Sequence, residues 1–164
     1  MKYTGTTDGA ALGKRPGTEK FVDIIKKKGF TNLGTWAVRN MRGSDRLSVH
    51  ATGRAADIGY KDKATAAMWA NWLVANYETL GIEEVHDYAG TTKKGTEKWG
   101  RGWRCNRDGK PGWKDWTETA NGGSGGGMWL HVELTPAMAD DPQAFVAAWK
   151  SVPPPTPAVK TVTA

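Results

Sequence analysis

The feature that most constrains this chain of 164 residues is a set of three metal-ligand side chains in two short segments. His50 and Asp57 lie close together in the sequence, and His131 follows near the end of the chain. Two imidazole nitrogens and one carboxylate are the ligands of a catalytic zinc site whose fourth position stays open for water. The fold must therefore bring separate strands together so that these three side chains converge on one Zn²⁺ ion.

The residues between His50 and Asp57 suit a tight turn. Gly53 lets the backbone double back between two strand-like segments, because glycine carries no Cβ that restricts its φ angle. Ala55 and Ala56 are small, so the second segment can pack closely and both ligands can face one ion. The pattern predicts that His50 and Asp57 lie on neighbouring extended segments.

His131 lies in a predicted strand over 128–134. Side chains on a strand alternate between its two faces, so Glu133 shares the face of His131. The alternative explanation is a histidine that belongs to the core, beside an unrelated surface aspartate. Two histidines and an aspartate in so compact a context favour the zinc site.

Residues 48–57 read S-x-H-x-x-G-x-A-x-D, which resembles the signature of the D-alanyl-D-alanine carboxypeptidase and L-alanyl-D-glutamate endopeptidase family of zinc peptidases. His131, in a Leu-His-Val sequence, is similar to that family's third ligand, and the resemblance covers about residues 36–134. It implies a small α+β fold, a twisted antiparallel sheet with helices packed on one side, as in Hedgehog domains. It also implies hydrolysis of peptide bonds in bacterial peptidoglycan, and many members are catalytic domains of phage endolysins.

The same resemblance implies roles for three residues around the ligands. Arg39, in a Trp-Ala-Val-Arg sequence, would stabilise the oxyanion of the tetrahedral intermediate as a fixed cationic donor. Ser48 would form a hydrogen bond with the substrate. Arg54 either holds a substrate carboxylate or pairs with a nearby acid, and we favour the pairing.

One position departs from the family pattern. Met128 stands where many members carry a Glu or Asp as general base, three residues before the third ligand, and Trp129 stands where a second subgroup carries a histidine. Glu133 is our first candidate for the base, although it could instead orient a ligand imidazole. His86, on a predicted strand over 82–88, is the second candidate, and as an imidazolium it would more naturally steady the oxyanion.

The composition of the chain indicates what kind of partner it binds. The chain has a formal net charge of +6 and nine tryptophans, which suit an anionic partner such as wall polymers, nucleic acid or a membrane face. Basic clusters such as 26–28 are explained equally well as solvated surface. A tryptophan-rich protein can bind single-stranded nucleic acid by base stacking, but no known nucleic-acid motif is present. We therefore expect bacterial peptidoglycan as the partner, with no nucleic acid and no membrane, and a monomer.

The leading interpretation is a phage endolysin of the L-Ala–D-Glu endopeptidase type, and the choice of that bond rests on the resemblance alone. The alternative is a zinc-containing cell-wall-binding module that lacks a catalytic base. Cys105 is the only cysteine, so no disulfide framework is expected. Residues 1–7 lack the apolar stretch of a signal peptide, and no apolar run is long enough to span a bilayer. We expect synthesis in a host cytoplasm and action at the cell wall.

The chain becomes rich in proline from residue 152 onwards. This change predicts a zinc peptidase domain over 1–151 and a stiff Pro-rich linker or tail over 152–164. Within the domain we expect a loosely packed arm over 1–17, followed by a short helix capped by Thr18. The clearest helix covers 64–80. A last helix follows the capping residue Asp141, with Pro142 at its first position.

Residues 89–127 are too rich in Gly, Lys and Trp to predict regular elements. Such a long segment in a compact domain is usually functional or disordered. We expect a mobile wall of the site with 122–127 as its hinge. Its expected contacts to glycan or peptide are Trp99, Trp103 or Trp113.

Overall fold

A computed structural model of the chain describes residues 1–89, 99–121 and 126–157. These residues form a six-stranded sheet that is antiparallel throughout. In chain order its strands are β1 (Thr31–Gly34), β2 (Ala55–Gly59), β3 (Ile82–Asp87), β4 (Arg101–Arg107), β5 (Lys110–Asp115) and β6 (Trp129–Leu134). In space their order is β1-β2-β6-β3-β4-β5, so the last strand lies between β2 and β3. This order places His131 beside Asp57.

The described part of the chain also contains the α-helices α1 (Pro16–Lys26), α2 (Lys63–Ala75), α3 (Tyr77–Leu80), α4 (Glu118–Asn121), α5 (Pro136–Asp140) and α6 (Pro142–Ser151). One face of the sheet buries apolar side chains such as Ile58 and Val132 in the same core as Phe21 of α1 and Phe145 of α6. Alternate side chains of the same strands point to the opposite face, which carries the predicted ligands. The predicted α+β fold is confirmed.

The helix ends follow local capping chemistry, with two differences from the sequence prediction. The Asp141 side chain caps α6 as expected, by accepting a hydrogen bond from the backbone N–H of Ala144. Thr18 does not cap α1, because that helix begins two residues earlier at a proline and buries Thr18 inside it. The helix predicted over 64–80 is broken at Asn76, whose side-chain amide competes for the Trp72 carbonyl oxygen at the end of α2.

The absence of regular elements over 89–127 is a wrong prediction, because β4 and β5 form a hairpin there. Asp108 and Gly109, at the turn, both have positive φ angles, as two-residue hairpin turns of this kind require. The Asp-Gly pair was the signal for this turn in the sequence. Most of the predicted hinge, 122–125, lies outside the described residues, as do 90–98 and 158–164.

The loosely packed arm predicted over 1–17 is also wrong. The Tyr3 and Thr4 side chains form hydrogen bonds with Glu133 and Glu83 of the sheet, Asp8 accepts from Arg54 just before β2, and α1 already begins at Pro16. No helix in the described residues has the length and apolar character needed to cross a bilayer.

Candidate metal centre

The backbone brings the three predicted ligands to one place. In the pairing of β2 with β6, Asp57 lies directly opposite His131. His50 lies on a single 3₁₀ turn (Val49–Thr52) that precedes β2, so the expectation of an extended segment at His50 is wrong. The Ser48 side chain caps this turn by accepting from the backbone N–H of His50, and Gly53 ends it with a φ of +75°. The short turn brings the His50 ring close to Asp57 on β2.

The three side chains meet around the Asp57 carboxylate. Nε2 of His50 lies 3.1 Å from Oδ2 of Asp57, and Nδ1 of His131 lies 3.0 Å from Oδ1. One ligand atom from each residue lies within 4.8 Å of the other two. The two imidazole rings are edge to face, with centroids 5.0 Å apart. The predicted ligand set therefore forms a cluster small enough to surround one ion.

The far nitrogen of each imidazole is held by a hydrogen-bond acceptor. Nδ1 of His50 lies 2.6 Å from the backbone oxygen of Thr35, and Nε2 of His131 lies 2.9 Å from Oε1 of Glu133. Each ring has an oxygen acceptor at both of its nitrogens, the far acceptor being Thr35 or Glu133 and the near one Asp57. With a cation beside Asp57, the far nitrogens would carry the ring protons and the near nitrogens would direct their lone pairs at the cation. This pattern of outer partners is typical of zinc-binding histidines.

The electrostatics of the cluster also favour a positive charge between Asp57 and the two imidazole rings. Burial raises the pKa of Asp57, but hydrogen bonds with His131 and His50 outweigh it and hold this pKa well below its usual value. Burial lowers the pKa of His131, but its hydrogen bonds with Asp57 and Glu133 outweigh that effect and raise the pKa well above its usual value. The site is therefore built to hold positive charge between Asp57 and the rings.

Glu133 uses both of its carboxylate oxygens inside the protein. Oε1 accepts from His131, Oε2 lies 3.0 Å from the Tyr3 hydroxyl, and the residue is only 2% exposed. A general base needs an oxygen that can reach water at the site. The geometry thus favours the orienting role for Glu133, one of the two roles that the sequence leaves open.

Glu84, on β3 opposite Glu133, belongs to a second group of ligand-type atoms with His131 and Glu133. Its Oε2 accepts a hydrogen bond of 2.5 Å from Nε of Arg104. Burial, followed by the negative charge of Glu133, raises the pKa of Glu84. This second group already has a cation in Arg104, so it is the less suitable metal centre.

His86 lies opposite His131 on β3 and lines the same cavity. Its ring is stacked on Tyr88 at 4.0 Å between centroids and is also close to Trp116 at 4.9 Å. Nε2 of His86 is buried and has no hydrogen-bond partner among the described residues. Burial, followed by the charge of His131, lowers the pKa of His86 to about 3. The ring is therefore neutral near pH 7, so the imidazolium considered for the oxyanion role is not the form present.

A cavity of about 400 Å³ opens over the cluster. Arg39 and Ser48 are among the residues that line it, and Arg42 and Arg104 add positive charge to its wall. Sequence patterns miss other residues of this wall, among them Tyr3, Glu84, Arg104 and Trp116. Their only signals are single aromatic or charged residues with no motif around them.

Arg54 does not reach the cavity. Its guanidinium is 0% exposed, and it donates to Oδ2 of Asp8 at 2.9 Å and to the Leu134 carbonyl oxygen at 2.6 Å. Glu83 provides a second carboxylate, a buried one, at 3.4 Å. Of the two roles considered for Arg54, this geometry agrees with pairing to an acid and gives it no contact with a substrate.

The aromatic contacts differ from those expected. Trp103 is buried in the core, and Trp113 packs under the Arg101 guanidinium at 3.8 Å. The tryptophans that line the cavity are Trp116 and Trp129. Met128, at the position of the family's general base, is 38% exposed and contributes only its carbonyl oxygen, to the backbone N–H of Tyr60.

Comparisons with protein-family models, with curated proteins and with solved structures found no match to this chain. The assignment of the site therefore rests on its own geometry.

Proposed function

We propose that this chain is a zinc metallopeptidase that hydrolyses a peptide bond in peptidoglycan stem peptides, as the catalytic domain of an endolysin of the L-Ala–D-Glu endopeptidase type. The observation that carries the proposal is the convergence of His50 Nε2 and His131 Nδ1 on the two oxygens of Asp57. Their opposite nitrogens are already bound to Thr35 and Glu133, so these two atoms remain for a metal. Two imidazoles and one carboxylate are a common ligand set for catalytic zinc.

The cluster is also reachable from the cavity. The Asp57 and His131 side chains retain 24% and 13% of their exposure, and both line the cavity wall. When bound, zinc polarises a scissile carbonyl and makes water acidic enough to act as a nucleophile near neutral pH. The protein contributes the fixed ligands, the outer hydrogen bonds that orient them and the shape of the cavity.

Residues around the cluster suit an anionic peptide. Arg39, Arg42 and Arg104 all line the cavity, and stem peptides carry several carboxylates. Ser48 accepts from the His50 backbone, which leaves its hydroxyl proton to donate to a substrate carbonyl. The choice of peptidoglycan follows from the resemblance of residues 48–57 to the peptidase signature, and the cationic wall is compatible with it.

None of the described carboxylates in the cavity is free to act as a general base. The described carboxylates that line the cavity are Asp57, Glu84 and Glu133, and each is occupied by the cluster or by Arg104 and Tyr3. His86 is neutral and its buried Nε2 has no partner among the described residues, but a ring with a pKa of about 3 is a weak proton acceptor, so it does not supply the missing base either. The same observation favours a second candidate function, a zinc-containing wall-binding module without turnover.

Digestion of purified peptidoglycan separates the two functions. The peptidase should release new amino termini that mass spectrometry identifies as D-Glu, with loss of release in a chelator and recovery on addition of zinc. A binding module should sediment with peptidoglycan and release no new termini. A protein that binds no zinc at all would overturn both.

A further inference from the structure

The N-terminal segment, residues 3–8, reaches the metal centre from behind the His131 ring. The Tyr3 hydroxyl lies 3.0 Å from Oε2 of Glu133 and 3.3 Å from Oε2 of Glu84. Glu133 binds Nε2 of His131 through its other oxygen. A continuous series of hydrogen bonds thus runs from Tyr3 through Glu133 to a predicted metal ligand.

The Tyr3 hydroxyl lies between two buried carboxylates, those of Glu84 and Glu133. Glu84 and Glu133 lie opposite each other on neighbouring strands, and two buried carboxylates at such a pair repel. The Tyr3 hydroxyl lies within reach of both, and Arg104 binds Glu84 while its guanidinium lies 4.5 Å from the centroid of the Tyr3 ring. Without this hydroxyl, Glu133 would have no described donor other than His131 and could turn away from it.

The segment that carries Tyr3 is itself firmly attached. Thr4 binds the Glu83 carboxylate through both its hydroxyl, at 2.6 Å, and its backbone N–H, at 3.0 Å. Arg54 binds the Gly5 carbonyl oxygen and the Asp8 carboxylate. Glu83 and Arg54 are almost completely buried, so the segment has two fixed anchors on either side of Gly5. Tyr3 is therefore held in place independently of any metal.

We propose that Tyr3 is a positioning residue of the metal centre: its hydroxyl fixes the Glu133 carboxylate, which fixes the His131 ring with Nδ1 directed at the metal. This inference rests on the proposed zinc centre. Outer partners of metal-binding histidines affect affinity by about 10- to 100-fold, and Tyr3 acts one contact further out. We expect the lower end of that range for loss of the hydroxyl.

The test is the zinc dissociation constant, measured by competition with a chromophoric chelator at a temperature where circular dichroism shows each variant folded. Tyr3→Phe should weaken zinc binding on the order of tenfold. The matched control is Tyr77→Phe, which removes a hydroxyl bound only to the exposed Glu78 and should leave zinc affinity unchanged. In a Glu133→Ala background, Tyr3→Phe should have no further effect, because the contact through which it acts is gone.

Unchanged zinc affinity in Tyr3→Phe, while the parent protein binds zinc, would overturn this inference and leave the proposed function standing. An undiminished effect of Tyr3→Phe in the Glu133→Ala background would also overturn it, because Tyr3 would then act by another route. If Glu133→Ala does not fold, Glu133→Leu, whose side chain likewise cannot accept from Tyr3, replaces it in the same comparison. A parent protein that binds no zinc would overturn the proposed function and the inference together.

Discussion

Oε1 of Glu133 lies 2.9 Å from Nε2 of His131, on the side of the ring away from Asp57. The two carboxylates therefore hold one imidazole from opposite sides. A ring held in this way cannot rotate without losing a buried hydrogen bond, so Nδ1 stays directed at the Asp57 side. The arrangement holds the His131 ring in the orientation that the proposed metal centre requires.

We expect about one zinc ion per chain in the purified protein, and its loss in His50→Ala, Asp57→Ala and His131→Ala. Each substitution removes one of three ligands, while the apolar core on the other face of the sheet is untouched. Metal content by mass spectrometry and helix content by circular dichroism measure the two effects. Asp23→Ala, at an exposed position of α1, is the control. Full zinc content in all three ligand variants would contradict the site.

Glu133→Gln distinguishes an orienting residue from a base. If Glu133 orients His131, the variant should bind zinc about 10- to 100-fold more weakly, and lysis should return at saturating zinc. If Glu133 is the base, the variant should keep its zinc affinity and lose lysis at every zinc concentration. Titration of wall lysis against free zinc makes the comparison. His86→Ala belongs in the same experiment, because loss of a general base typically costs about 10²- to 10⁴-fold in rate.

The buried His86 should make the metal-free protein less stable in mild acid. Burial lowers the pKa of His86 from 6.5 to about 3, so the unfolded chain takes up a proton in this interval that the folded protein does not. The free energy of unfolding should therefore fall as pH is lowered from 6.5, by up to about 1.4 kcal/mol per pH unit. In His86→Phe this contribution is absent.

Urea unfolding in a chelator at pH 7 and pH 5 measures the difference. The parent protein should lose about 2 kcal/mol relative to His86→Phe over this interval. Tyr88→Phe keeps His86 with its stacked neighbour and should follow the parent. Parallel pH curves for the parent and His86→Phe would show that His86 is protonated as easily in the folded state as in the unfolded state.

Gly102 controls the position of Trp116 in the cavity wall. It lies opposite His86 on β4, and a Cβ at this position would lie 2.3 Å from Cζ2 of Trp116. Gly102→Ala should displace the indole, raise KM for peptidoglycan and reduce stability by about 1–3 kcal/mol. Gly112→Ala on β5 is the control, because an added Cβ there meets no atom within 4 Å. Equal tryptophan fluorescence and KM in both variants would contradict this role.

Local signals in the sequence predict much of the fold. The strands around His86 and His131 and the helix after Asp141 occur where periodicity and capping residues place them. The three ligands meet because β6 inserts between β2 and β3, and the ligand motif predicts the contact without predicting this strand order. The local capping pattern at Asp141 is confirmed, whereas the one at Thr18 is wrong.

The features that sequence patterns miss depend on distant contacts. Tyr3 and Glu133 are 130 positions apart, and no spacing rule links a single tyrosine to a carboxylate at that distance. The break at Asn76 results from competition between a side-chain amide and the backbone, which an apolar stripe does not reveal. The missed hairpin has only one local signal, the Asp108 turn, within a segment dominated by glycine.

The pairing of Asp57 with His131 in the antiparallel ladder has a consequence for folding. Side chains alternate along a strand, so a slip of β6 by one residue would turn His131 towards the core and expose Leu130 or Val132 in its place. The proposed ligand set comes together only in the native alignment of β2 with β6. The time course of zinc uptake during refolding would therefore show when these strands become correctly paired. Because zinc would bind only the native alignment, it would stabilise that alignment relative to misregistered forms.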